Sequence, residues 1–335
     1  EHFEASDRNN LKEFYLKRNR LKFLLKFGSV RQKLYELIRL PKTLIENRKS
    51  LSFNFLSLNI SSLINRLINF FLFLILLNYL SVENYGIYTL VWAHINIFSP
   101  LADLGTTTYG IVKLPVDSRD KYNYFYSLRF AAGIFAVITT VFVALLFNLN
   151  FLLVIFIILT SPIIISNAIS GSYLIILSLK NKQYVSSVVS VVFNILLFLV
   201  LSLVLILTKS IIYLFVSIAL LYTTYGIVNY FLSKRELQTF TFKFNYSIWK
   251  SIVKKSFVYV LISLFAGLYF RLDLYLLNFM KNSEAVGIYS AGYKFFEAFI
   301  FIAGSYSITT LPTLSKLYES SKTVFISKIK KILYY

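Results

Sequence analysis

Val188–Leu207 reads VVSVVFNILLFLVLSLVLIL, twenty residues with one Asn and no charge. A helix of about 20 residues rises roughly 30 Å, which matches the hydrocarbon thickness of a bilayer. The run is too long and too uniformly apolar for a soluble core, and it predicts a membrane-spanning helix. Phe151–Leu159, just upstream, is apolar at every position. Pro162 follows it, and a spanning helix tolerates such a residue as a kink.

Similar runs recur in both directions. Spans are expected at about 53–80, 86–112, 125–147, 149–179, 183–207, 210–232, 252–279 and 286–311. Hydrophobic residues make up 57% of the chain and charged residues 15%, against about 25% charged in a soluble domain. Tyr79, Tyr85, Tyr122 and Tyr230 fall at run ends, where interfacial rings belong. The expected fold class is an all-α polytopic membrane protein of about eight spans.

The net charge of +20 raises a nucleic-acid reading. The basic residues lie before and between the apolar runs, however, so topology explains them and nucleic acid is excluded as a partner. With the N-terminus inside, inner loops hold 16 Lys and Arg residues, against Lys209 and Lys281 in the outer loops. That bias sets a cytoplasmic N-terminus. The outer loops are too short for an extracytoplasmic catalytic domain. Residues 1–50 form a basic segment in which Leu21, Leu24, Leu25, Leu34, Leu37 and Ile38 recur at helical spacing. One or two amphipathic helices on the anionic inner leaflet are expected there, with a solvated basic tail as the alternative.

The pattern E-x-x-G-I-Y occurs twice, as Glu83-Asn84-Tyr85-Gly86-Ile87-Tyr88 and as Glu284-Ala285-Val286-Gly287-Ile288-Tyr289. The copies are 201 residues apart, and each sits in a short outer turn of a helical hairpin. Six spans separate equivalent points, so the two halves would be parallel repeats about an axis along the membrane normal. The expected organisation is a first lobe of six helices over 51–233, a cytoplasmic linker over 234–251, and the start of a second lobe over 252–335. The sequence opens without Met and stops in a basic stretch, so a longer protein with more helices in the second lobe is expected.

Tyr79 to Tyr88 followed by Leu101-Ala102-Asp103-Leu104-Gly105-Thr106, and later Arg271-Leu272-Asp273 through Glu284 to Ala291, carry a family resemblance. They resemble the polysaccharide-biosynthesis flippases of the multidrug/oligosaccharidyl-lipid/polysaccharide exporter superfamily. The resemblance covers about 51–320. It implies a carrier in the bacterial cytoplasmic membrane that moves an undecaprenyl-diphosphate-linked oligosaccharide to the outer leaflet. Alternating access of two lobes and a proton or sodium gradient are implied with it. Membrane lipids are the other partners, and no cofactor is called for.

Ionisable residues inside spans are costly and mark candidate sites. Arg66 lies mid-span, and Arg271 and Lys294 lie in the outer halves of the seventh and eighth spans. A cleft between lobes would gather them into a cationic patch for a diphosphate or acidic sugars, Arg binding two oxygens at once. Lys294 has a second reading, neutralisation by Glu297 three residues on. Asn65 and Asn69, one turn apart, are candidates to line the cavity for glycan hydroxyls or to bond across helices. Asp273 is a candidate ion-coupling group or an interhelical salt bridge, and it should point away from Arg271, two residues before it. Asp103 reads as a cap or interhelical hydrogen-bonding group ahead of ion coupling. His94 reads as a packed ring and Arg129 as a snorkelling residue near the inner interface.

The sequence has no Gly-rich phosphate loop, metal-ligand cluster or serine triad signature, and it has no Cys for a disulfide or thiolate site. Glu83 and Glu284 are the only acids in the outer loops, so a membrane enzyme of glycan assembly is disfavoured. A drug or metabolite exporter of the same superfamily remains the alternative. It would call for a more apolar, carboxylate-lined cavity.

Overall fold

The computed structural model describes residues 51–113, 119–147, 149–180, 182–237 and 242–297. The amphipathic helices expected in 1–50, the basic residues after Lys316 and the inner part of the eighth span lie outside the described residues.

The described residues are helical and contain no strand. In chain order the helices are α1 (Leu51–Tyr79), α2 (Val82–Asp103), α3 (Thr106–Lys113), α4 (Arg119–Leu146), α5 (Phe151–Thr160), α6 (Pro162–Leu179), α7 (Gln183–Thr208), α8 (Ile211–Leu237), α9 (Tyr246–Tyr269) and α10 (Leu272–Met280). A further helix runs over 283–297. Three expected spans are each broken in two. Leu104 and Gly105 adopt positive φ, at 49° and 63°, and separate α2 from α3. Pro162, at the first position of α6, separates it from α5. Arg271 separates α9 from α10.

Six stretches among the described residues are long and apolar enough to cross a membrane: Leu56–Tyr79, Tyr122–Leu146, Phe151–Leu179, Gln183–Thr208, Ile211–Glu236 and Tyr246–Met280. The second expected span is not among them. Its helix α2 carries Glu83, His94, Pro100 and Asp103, and most of one face is buried, from Tyr85 through Leu90, Val91 and His94 to Ala102. A central helix touches protein rather than lipid, so it need not be apolar all round.

The outer helices reverse the pattern of a soluble protein. On α4, Phe135, Ile138, Phe142 and Leu145 form one exposed stripe. On α7, Val188, Val192, Ile195, Leu199, Leu203 and Ile206 do the same. Apolar patches of this extent are not left facing water, whereas hydrocarbon accepts them and requires helical backbone behind them. The chain is a multi-pass α-helical membrane protein.

One apolar cluster runs through the bundle from Leu72 and Phe73 on α1 through Leu90, Phe156, Leu201 and Phe215 to Leu274 and Val286. Residues 274 and 286 therefore share a core with the helices before them. A second cluster seats Ile252 of α9 on Tyr122, Phe125, Leu128, Ile175 and Ile176. The turns at 80–81, 149–150, 209–210 and 281–282 lie at one end of the bundle, where Phe147 and Phe279 meet with ring centroids 6.1 Å apart. At the opposite end, Glu236 of α8 accepts from Lys180 at 2.7 Å and Lys182 at 3.2 Å.

Candidate functional site

The two E-x-x-G-I-Y copies touch each other. The N-terminal turns of α2 and of the 283–297 helix cross at Gly86 and Gly287. A Cβ on Gly86 would overlap the Ser283 carbonyl and stand 3.0 Å from the Gly287 nitrogen. A Cβ on Gly287 would overlap the Val82 carbonyl. Ser290 Oγ donates to Thr89 Oγ1 at 3.2 Å, across the same separation of 201 residues. That displacement carries Val82 to Ser283, Gly86 to Gly287 and Thr89 to Ser290. Each contact is thus the mate of another, as in an isologous interface about a twofold axis. Gly at these positions lets two backbones approach closely, as small residues do between membrane helices.

Beside the crossing lies a pocket of about 40 Å³, enough for water but not for a sugar. Thr89 comes from α2, Arg271 and Asp273 from the α9–α10 break, and Ser290, Lys294 and Glu297 from the last helix. Glu297 holds both cations: Arg271 Nη2 lies 3.4 Å from Oε1 and Lys294 Nζ lies 2.8 Å from Oε2. Asp273 accepts from the Tyr289 hydroxyl at 2.6 Å and from the Leu274 backbone N–H at 2.9 Å. Arg271 and Asp273 line the same pocket. The expectation that they diverge fails because Arg271 is the N-cap residue of α10 and not part of a continuous helix.

The other candidates sit apart from this pocket. Arg66 and Asn69 are exposed on α1. Asn65 Nδ2 donates to Ser190 Oγ on α7 at 2.8 Å, and its Oδ1 is buried with no hydrogen-bond partner among the described residues. Further along α1, Phe70 and Phe73 meet Phe295 at 6.5 and 6.0 Å between ring centroids. His94 is packed, 1% exposed. Its Nε2 lies 2.8 Å from the Thr140 carbonyl, and its Nδ1 bonds the Tyr275 hydroxyl. A carbonyl only accepts, so Nε2 carries the proton and Nδ1 accepts from Tyr275 in the neutral ring.

Residues 51–318 match the family of polysaccharide biosynthesis proteins. The chain belongs to that family. No curated protein and no solved structure matches it. The matched region begins where α1 begins and takes in both copies of the repeat.

Within this family member, the polar cluster that sequence reasoning missed centres on Arg129. The expectation that Arg129 snorkels is wrong: its side chain is 2% exposed. Nη1 lies 2.6 Å from Asp103 Oδ1 and donates to Thr106 Oγ1 at 2.9 Å and Thr107 Oγ1 at 2.6 Å. Nε donates to the Ala168 carbonyl at 2.9 Å. The positive-φ break at Leu104 and Gly105 folds the chain so that Asp103 and both threonines face one point. Gly105 fits there because a Cβ would stand 2.6 Å from the Ser256 carbonyl of α9. Gly171 leaves room for the guanidinium, which any Cβ there would strike. Asp103 therefore bonds between helices, and two threonines just past an Asp-Leu-Gly break, with a lone Arg in the next span, were the available clue.

Proposed function

We propose that this polysaccharide biosynthesis protein is a carrier, not an enzyme, that moves an undecaprenyl-diphosphate-linked oligosaccharide across the bacterial cytoplasmic membrane to its outer leaflet. The N-terminus lies inside, as the loop charges indicate. The observation that carries the reading is the placement of Arg271 and Lys294 together in a pocket beside the contact between the two repeat copies. Cations within hydrocarbon depth are costly and mark functional paths. A diphosphate offers several oxygens to an Arg fork and a Lys ammonium.

The pocket is too small for a sugar in this conformation, so cargo reaches the cations when α2 and the 283–297 helix part. Residues 51–233 act as one lobe and 252–335 begin the second, with 234–251 joining them. A proton or sodium gradient drives the cycle. Cargo passes without bond making or breaking, and no cofactor takes part. Drug export by the same fold would call for carboxylates facing an apolar cavity. Here Glu297 is tied to two cations and Asp273 to a hydroxyl and an amide.

The test is translocation of a fluorescent undecaprenyl-diphosphate glycan by the full-length protein in proteoliposomes. Wild type should move it, and Arg271→Ala should lose at least tenfold in rate while remaining inserted. Unchanged transport by Arg271→Ala would remove this residue from the path. Export of cationic dyes with no movement of the lipid would overturn the flippase reading.

A further inference from the structure

We propose that Glu297 is a built-in competitor of the cargo's anionic head, so that an anion reaches Arg271 and Lys294 only by displacing this carboxylate. The inference rests on Arg271 and Lys294 being the anion's partners and adds how their occupancy is controlled.

Each oxygen of the Glu297 carboxylate faces a different cation, at 3.4 Å and 2.8 Å. One carboxylate thus occupies both sites that an incoming phosphate or sulfate would need. The side chains of Arg271, Lys294 and Glu297 are 30%, 36% and 30% exposed, so the triad opens to the pocket and is not sealed in a core. The longer Arg271 contact lies at the edge of hydrogen-bond range and is the weaker of the two. The pocket's other acid, Asp273, is held by the Tyr289 hydroxyl and the Leu274 amide, and no cation is bonded to it among the described residues. Glu297 is therefore the group an anion must displace.

Displacement has a defined consequence. A carboxylate stripped of its two cations and left part-buried beside a new anion and near Asp273 repels both, and that repulsion lowers the anion's affinity. The charged and titratable groups around it among the described residues are Arg271 and Asp273 from the α9–α10 break, Tyr85 from α2, and Tyr289, Tyr293 and Lys294 from its own helix. Helix α1, which packs on that helix through Phe70 and Phe73, has Arg66 as its charged residue. The sign is fixed by the exchange: removing the carboxylate's charge frees both cations, so anion affinity rises.

Sulfate is the probe, because it remains a dianion between about pH 5 and pH 8 and adds no titration of its own. Binding is measured by calorimetry on the full-length protein in detergent at one fixed pH within that range. Glu297→Gln, nearly the same shape without the charge, should bind about fivefold to tenfold more tightly than wild type. Arg271→Ala should weaken binding in either background. Equal or weaker affinity in Glu297→Gln overturns the competitor role while leaving the anion site standing. Binding unaffected by Arg271→Ala, or absent from wild type and Glu297→Gln alike, overturns the anion site and this inference with it.

Discussion

Ser290 donates a hydrogen bond to Thr89 across 3.2 Å, and the internal repeat makes these two positions equivalent. A contact between equivalent residues marks the local twofold axis. Gly86 against Ser283 and Gly287 against Val82 complete the pair on either side. At these positions the two helices meet through backbone and small side chains. Such an interface can close tightly and also part as rigid bodies.

The first prediction concerns that axis. The chain has no Cys, so Thr89→Cys with Ser290→Cys introduces the only two thiols. Their positions lie close enough for a disulfide after a small adjustment. Oxidation should cross-link the resting protein and stop glycan translocation, and reduction should restore it. Full transport by the cross-linked protein would show that the crossing need not open.

The glycines make a sharper steric prediction. Gly86→Val and Gly287→Val push a side chain into a backbone carbonyl of the opposing helix and should destabilise the crossing by about 1–3 kcal/mol. Gly292, on the same helix, has nothing within 4 Å of a built Cβ. Gly292→Ala should leave the melting temperature unchanged or slightly raised. Thermal unfolding in detergent of the three variants decides it. Equal melting of Gly86→Val and wild type would mean that the helices do not meet as described.

Most of the helical layout was legible because run length in a bilayer is a hard constraint. The break at Pro162 was legible for the same kind of reason. What escaped the sequence depends on breaks without Pro. Asp103, Thr106 and Thr107 stand at helical spacing, but the Leu104–Gly105 break lies between them, and that their shared face meets Arg129 is set by packing between helices. The break at Arg271 likewise puts it beside Asp273. The repeat could be read from letters, but a matched pattern says only which residues are equivalent. That equivalent residues touch depends on where the axis passes, and no periodicity carries that information.

His94 and Tyr275 offer a test of how α10 is held. The ring bonds Tyr275 on one side and the Thr140 carbonyl on the other, which ties α10 through α2 to α4. Tyr275→Phe keeps the ring volume and removes the hydroxyl that His94 Nδ1 accepts from. A buried acceptor left unpaired costs about 1–3 kcal/mol. The variant should melt lower by that margin, and His94→Phe with Tyr275→Phe should recover part of it. No change in Tyr275→Phe would mean that another donor reaches the ring.

The buried Arg129 should be the most sensitive charge in the described bundle. Its guanidinium meets Asp103, Thr106, Thr107 and the Ala168 carbonyl at once, and Gly171 clears the space beside it. Removing one member of a buried ion pair leaves the other uncompensated, at about 3–5 kcal/mol. Asp103 is 31% exposed, so its stranded carboxylate recovers some hydration and the lower end of that range applies to Arg129→Leu. Arg129→Lys keeps the charge but cannot reproduce a planar fork that reaches a carboxylate, two hydroxyls and a carbonyl. It should therefore fall well short of wild type. Arg129→Leu combined with Asp103→Leu removes both charges and should be more stable than Arg129→Leu alone. Gly171→Ala should destabilise by displacing the guanidinium, even though Ala is the better helix former. Melting temperatures of these four variants in detergent measure the network directly, and a Gly171→Ala protein as stable as wild type would rule out the packed geometry around Arg129.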